Sequence, residues 1–223
     1  MKTADKHAAT KNDDTKERLL DAALELFAVQ GYAEVSVRQI TARAGTHLSA
    51  VNYHFGDKRN LYLEVFRSRW LPRAQKIRQV LTQATAQGIL PPAELIRLLA
   101  KEFITGFPTY DQAIKFHQLI AREMAQPTEA YDLIFEQGQK PIFEILLRQL
   151  TPQLPPGVGR EQTNLYIFSI FSMVLQFNFS RVLVSRIVGR DYDDQFIDQV
   201  VNHIVSFCIK GMGLAYDQTS NDA

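Results

Sequence analysis

The sequence predicts an all-α protein with a small N-terminal domain of short helices and a larger helical C-terminal domain. Three observations carry this. Apolar residues recur at helical spacing along most of the chain, with no run of short alternating segments and no repeat of fixed period. Between Asp14 and Asn60, polar capping residues and helix-stopping glycines follow one another closely. A Pro/Gly cluster from Pro152 to Gly159 then sets off two strongly apolar helical stretches at the end of the chain.

Taken in order, residues 1–13 read as a polar flexible tail. Asp14 and Glu17 have the spacing of a capping box and predict a helix start. Leu20, Leu24 and Phe27 form its apolar stripe, and Gly31 ends it. Ser36 and Gln39 make a second capping box, with Val35 and Ile40 placed as a hydrophobic staple. A short helix over about Val37 to Ala44 follows, stopped by Gly45. Another short helix fits His47 to Phe55, stopped by Gly56, after which Asp57 caps a long helix through Leu61, Tyr62, Val65, Phe66 and Trp70. Two short helices joined by a tight glycine-containing turn are the arrangement of a helix-turn-helix. Pro72 falls inside the long helical pattern and predicts a kink or break. Loop breaks follow at Gln87-Gly88, Pro91-Pro92, Phe107-Pro108 and Pro127. Beyond the Pro/Gly cluster, the last two helices span about Glu161 to Val188 and Asp194 to Ala215.

The bulk composition suits a globular chain. Of 223 residues, 46% are hydrophobic and 22% charged, with a formal net charge of +1. The whole-chain charge therefore gives no support to a nucleic-acid partner, but the local balance does. Val35 to Asn60 carries Arg38, Arg43, Lys58 and Arg59 against Asp57 alone, and Arg67 to Arg78 is purely basic in its charges. The single cysteine, Cys208, excludes an intrachain disulfide framework and a multi-cysteine zinc site. The N-terminus has no apolar signal region. The most apolar stretch, Leu165 to Val188, is interrupted by Gln176, Asn178, Arg181 and Arg186, which argues against a bilayer span. A cytoplasmic protein with no membrane partner, metal or cofactor is expected. None of the phosphate-binding, zinc-protease or serine-hydrolase motifs is present, so an enzyme is not expected.

Residues 36–61 read SVRQITARAGTHLSAVNYHFGDKRNL. This resembles the helix-turn-helix of the TetR family of repressors: the capped S-V-R-x-I helix, the A-G turn, and the aromatic run N-Y-H-F-G-x-K leading into the next helix. The preceding L-F-A-x-x-G-Y is similar too. R-E-M-A-x-P-T at Arg122 to Thr128, with the apolar final helices, resembles the CecR-type subgroup. The resemblance implies about nine helices, a DNA-binding domain over 14–60, and a ligand-binding and dimerisation domain over 61–215, followed by a tail over 216–223. It further implies a homodimer joined by a four-helix interface, released from a palindromic double-stranded operator by a small-molecule effector. Two positions depart from the family pattern. His47 stands where relatives carry a small capping Ser, so that Thr46 becomes an alternative cap, and Asn52 stands where many carry Tyr.

Within the recognition helix, Val51 and Phe55 are expected to pack inward and Leu48, Ser49, Asn52 and Tyr53 to face the groove. Asn can pair bidentately with adenine, and Leu can touch a thymine methyl. Tyr53, His54 and Lys58 match family positions that contact phosphate, and Arg38 and Ser36 are placed to do the same. His54 fits an internal packing role equally well, and Arg43 and Arg59 read as solvated charges. In the C-terminal domain Trp70, Phe103, Phe107, Phe116, Tyr131 and Phe135 fit either plain core or an effector pocket wall, with His117, Arg122 and Glu123 as polar candidates. Arg122 and Glu123 fit structural ion pairs as well. The excess apolar surface of the last two helices predicts a dimer interface through Phe168, Phe171, Leu175, Phe179, Ile197, Val201 and Ile204. Two other functions are compatible with the residues: a DNA-binding protein of this fold that recruits a protein partner without a small ligand, and an all-α enzyme whose site assembles only in three dimensions.

Overall fold

The computed structural model describes the backbone of residues 2–106 and 109–215, with side chains from Asn12 onward. Phe107 and the expected tail over 216–223 lie outside the described residues. The helices are α1 (Lys2–Gln30), α2 (Val37–Ala44), α3 (Ser49–Phe55), α4 (Lys58–Val65), α5 (Leu71–Ala84), α6 (Pro92–Thr105), α7 (Tyr110–Ala125), α8 (Glu129–Leu133), α9 (Lys140–Leu150), α10 (Arg160–Phe179), α11 (Arg181–Val188) and α12 (Asp194–Gly211). π-helical turns at Phe66–Trp70 and Ile134–Gln139 fuse α4 to α5 and α8 to α9. The described residues thus form ten separate α-helices and no strand.

The α2–α3 pair forms as the local sequence dictates. Ser36 Oγ accepts from the Gln39 N–H (3.2 Å) while the Gln39 side chain accepts from the Ser36 N–H (2.8 Å), closing the capping box. Gly45 ends α2 at φ +63, a left-handed conformation that residues with a Cβ rarely adopt. Ser36→Ala is expected to lower stability by about 1 kcal/mol, read as a fall of about 2–4 °C in the thermal midpoint. An unchanged midpoint would show the box to be dispensable.

Four boundaries differ from expectation. The backbone is already helical from Lys2, within the stretch expected as a tail. Asp14 lies inside α1 and pairs with Arg18 one turn on (3.4 Å) instead of capping. α3 begins at Ser49; its N-cap position is Leu48, with no side-chain cap, and the Thr46 hydroxyl turns back to the Thr41 carbonyl. The expected helix over 161–188 is two, α10 and α11, bent by 77°. At the bend Arg181 donates to the Ile104 carbonyl and to Asn178 Oδ1, and Asn178 donates to the Phe103 carbonyl. At Pro72 a break is expected; the structure supplies a π-turn just before it, with the Leu71 N–H reaching the Phe66 carbonyl.

The described residues cluster into two compact units. The first draws on Met1–Pro72 and Tyr110–Gln137, the second on Arg73–Thr109 and Gly138–Ala223. In the first, α1 packs against α7 as well as against α2, α3 and α4, and α4 packs against α8. In the second, α6 lies against α10 and α12, and α9 against α10. No single helix among the described residues is long and apolar enough to cross a membrane.

Candidate nucleic-acid interface

α3 divides into two faces. Val51 and Phe55 are buried, whereas Leu48, Ser49, Asn52 and Tyr53 are exposed, Tyr53 at 76%. Val51 and Phe55 thereby anchor a helix whose polar side is free to meet a partner. His47 beside it is exposed and Thr46 half-buried. His54 is half-buried, its ring edge-on to Tyr53 (5.0 Å between centroids) and tilted against Phe55. Burial, and then Lys16, lower its imidazole below the ordinary value, favouring a neutral ring that can donate a hydrogen bond but brings no charge.

The supporting residues come from the starts of two helices. Arg38 is exposed in the first turn of α2. The Ser36 hydroxyl donates to Gln39 Oε1 (2.7 Å), so its proton is engaged within the cap. Lys58 opens α4 behind the Asp57 cap. Its ammonium sits 4.4 Å above the Tyr32 ring and 3.5 Å from the Ala33 carbonyl, a cation–π seat that aims an otherwise flexible side chain. Arg43 and Arg59 are not simply solvated. Arg43 pairs with Glu25 (2.6 Å) and Arg59 with Glu129.

Behind this surface lies a polar node that the sequence only hinted at. Glu123 on α7 is 2% exposed. Its Oε1 accepts from the Tyr62 hydroxyl (2.6 Å), and its Oε2 accepts from both the N–H and the hydroxyl of Thr128 (2.9 Å each). Thr128 in turn caps α8 by accepting from the Ala130 N–H. Burial and then the Glu123 carboxylate push the Tyr62 phenol above its ordinary range, so it remains a donor. Neighbouring Arg122 donates to the Ala28 (3.2 Å) and Val29 (2.5 Å) carbonyls at the end of α1. Gly31, at φ +87, leaves room for it: a Cβ there would stand 3.0 Å from Arg122 Nη1. Arg122 is therefore a helix-end cap, which accounts for its charge without an effector.

The other expected effector residues are dispersed. Trp70, Phe116, His117, Tyr131 and Phe135 belong to the first unit, with Trp70 and Phe116 buried and Tyr131 and Phe135 exposed. Burial lowers the His117 imidazole. Phe103 belongs to the second unit, edge-on to Phe171 (5.8 Å), which stacks on Phe143 (6.2 Å). Of the expected dimer residues, Phe168 is 65% exposed, while Leu175, Phe179 and Ile197 are half-buried. Two need correction: Val201 and Ile204 are wholly buried on the side of α12 that serves its own unit. Phe171 is half-buried and packs on the rings just named. The outward stripe of α12 runs instead through Gln199, His203 and Phe207.

Residues 19–65 match the family described as bacterial regulatory proteins, tetR family. Residues 92–212, more than half of the chain, match the C-terminal domain of the HTH-type transcriptional dual regulator CecR. The chain belongs to the TetR family, with a CecR-type C-terminal domain. Among TetR-family relatives, the dual regulator CecR of Shigella flexneri is 25% identical over 205 residues, spanning 88% of this chain and 90% of that protein. The regulator SrpR of Pseudomonas putida is 38% identical over 64 residues, 29% of this chain and 30% of that protein. Solved structures share the fold. A tetR-family regulatory protein from Rhodococcus RHA1 superposes with a TM-score of 0.64 at 16% identity, over 91% of this chain and 98% of that one. The hemolysin II transcriptional regulator HlyIIR gives 0.59 at 22%, over 86% and 97%. The TetR family and these relatives are transcriptional regulators, not enzymes, and this chain is a TetR-type regulator with a DNA-binding domain.

Proposed function

We propose that this chain is a cytoplasmic homodimeric repressor whose two α3 helices read a palindromic double-stranded operator, and that a small-molecule effector releases it. The exposure of Leu48, Asn52 and Tyr53 over a buried Val51 and Phe55 supports the DNA reading: these side chains are left free by their own core and have the chemistry to meet base edges and phosphates. Arg38 and Lys58 supply charge at either side. Repression is suggested by relatives such as the transcriptional repressor AcnR of Corynebacterium glutamicum. For the effector, the cluster of Phe103, Phe143 and Phe171 in the second unit favours an apolar molecule. For the dimer, the outward face of α10 with Leu165 and Phe168, and that of α12 with Phe207, supply exposed apolar area.

The test is binding of the full-length protein to duplexes selected from a random pool, wild type against Tyr53→Ala combined with Lys58→Ala, across a salt series. A palindromic selected sequence, bound with an affinity that falls with salt and is about a hundredfold weaker in the double variant, is expected. A folded, dimeric wild type that selects nothing would overturn the reading.

A further inference from the structure

The R-E-M-A-x-P-T segment marks a subgroup in the sequence, and the DNA-contact reading leaves it without a task. Its side chains nevertheless converge on the base of the DNA-binding helices. A continuous chain of contacts runs outward from Glu123. The carboxylate holds the Tyr62 hydroxyl at 2.6 Å. The Tyr62 ring lies 4.9 Å from the Tyr32 ring and 4.9 Å from Phe27. The far end of that chain is the Lys58 ammonium, 4.4 Å from the Tyr32 ring. Beside it, Glu129 of α8 holds Arg59, the next residue of α4. Arg122 secures the end of α1, from which the Tyr32 loop departs.

We propose that Glu123 is a positioning residue for DNA binding: through Tyr62 and Tyr32 it sets where Lys58 presents its charge to the DNA backbone. This rests on the reading of Lys58 as a phosphate contact. The physical reason is that a lysine is a point charge on a flexible stem, useful to a phosphate at a fixed site only if something restricts it. Tyr32 supplies the restriction, and the Tyr32 ring is itself on a loop, so its place depends on the ring behind it. Among the described residues Tyr62 is the group that donates to Glu123 Oε1, and this bond tethers the outer end of its ring. Thr128 extends the same control: because Oε2 takes both of its donors, a shift of the α7–α8 turn moves the carboxylate, and with it the seat of Lys58.

The experiment uses the full-length protein and a duplex selected from a random pool, with Tyr62→Phe, Lys58→Ala and the two combined. Tyr62→Phe keeps the ring and removes only the hydroxyl; circular dichroism and the thermal midpoint verify that the variant is folded. The expected result is that Tyr62→Phe weakens binding by about tenfold. It should also lower the salt slope by about 0.9, the share of one phosphate contact. Lys58→Ala does the same, and the combined variant is no weaker than Lys58→Ala alone. Asn52→Ala, which touches a different part of the surface, multiplies with Tyr62→Phe. Independent effects of Tyr62→Phe and Lys58→Ala, or a Tyr62→Phe protein with the full salt slope, would overturn the inference while leaving Lys58 as a phosphate contact. If Lys58→Ala itself keeps the full slope, the phosphate reading of Lys58 fails and the positioning role fails with it.

Discussion

Glu123→Ala is expected to destabilise the protein by about 3 kcal/mol, lowering the thermal midpoint by roughly 6–12 °C. The carboxylate accepts three hydrogen bonds inside a packed unit. Removing it leaves the Tyr62 hydroxyl, 3% exposed as a residue, without its acceptor, and a stranded buried donor costs about 1–3 kcal/mol. Thr128 is nearer the surface, so water replaces part of what it loses. Against these losses stands relief from holding a charge away from water, which keeps the total well below the sum of three charged bonds. Met124, the next residue and exposed, serves as a control whose replacement by Ala should cost under 0.5 kcal/mol, about the limit for surface positions. Chemical denaturation of both variants decides the matter. Equal, small losses would mean that the carboxylate is replaceable by solvent.

Phe168→Asp is expected to convert the proposed dimer into a monomer. Phe168 is 65% exposed on α10, and Leu165 one turn earlier and Phe207 on α12 are exposed as well. A two-fold axis would use each such side chain twice. Losing two buried phenyl rings costs about 4 kcal/mol, a factor of about a thousand in the dimer dissociation constant, before any penalty for the carboxylates. Sedimentation at micromolar concentration should then show the wild type as a dimer and the variant as a folded monomer. Ile204→Val is the informative companion: Ile204 is wholly buried within the protomer, so it should lower the thermal midpoint and leave the association state unchanged. A Phe168→Asp protein that remains dimeric would place the subunit contact on another face.

The parts of the structure that were legible in the sequence are those written in local chemistry. The Ser36–Gln39 box, the left-handed Gly45 and the Asp57 cap each act within four residues, and all three form as expected. The two faces of α3 followed from a spacing of four between Val51 and Phe55. What failed involved competition with more distant structure. Asp14 carries a capping signal, yet an aspartate also serves inside a helix when Arg18 is one turn away. The single helix expected over 161–188 breaks at Ser180 because Arg181 and Asn178 reach carbonyls at the end of α6, more than seventy residues earlier. Periodicity found the stripe of Val201 and Ile204 on α12 but could not tell a side that meets its own unit from one that meets a second copy. The Glu123–Tyr62 bond spans sixty-one positions and left only a trace, the R-E pair among apolar neighbours.

The interrupted course of the first unit also bears on how the protein is made. Its core uses residues up to Pro72 and then waits for Tyr110–Gln137, with the whole of Arg73–Thr109 emerging in between. On a ribosome the helix-turn-helix would therefore appear early with Tyr62 and the Ala28 and Val29 carbonyls still open to water, and would acquire Glu123 and Arg122 only some fifty residues later. Long-range closure of this kind slows folding. A minimal DNA-reading fragment for biophysical work is accordingly not the first seventy residues alone, but those residues joined by a short linker to α7 and α8.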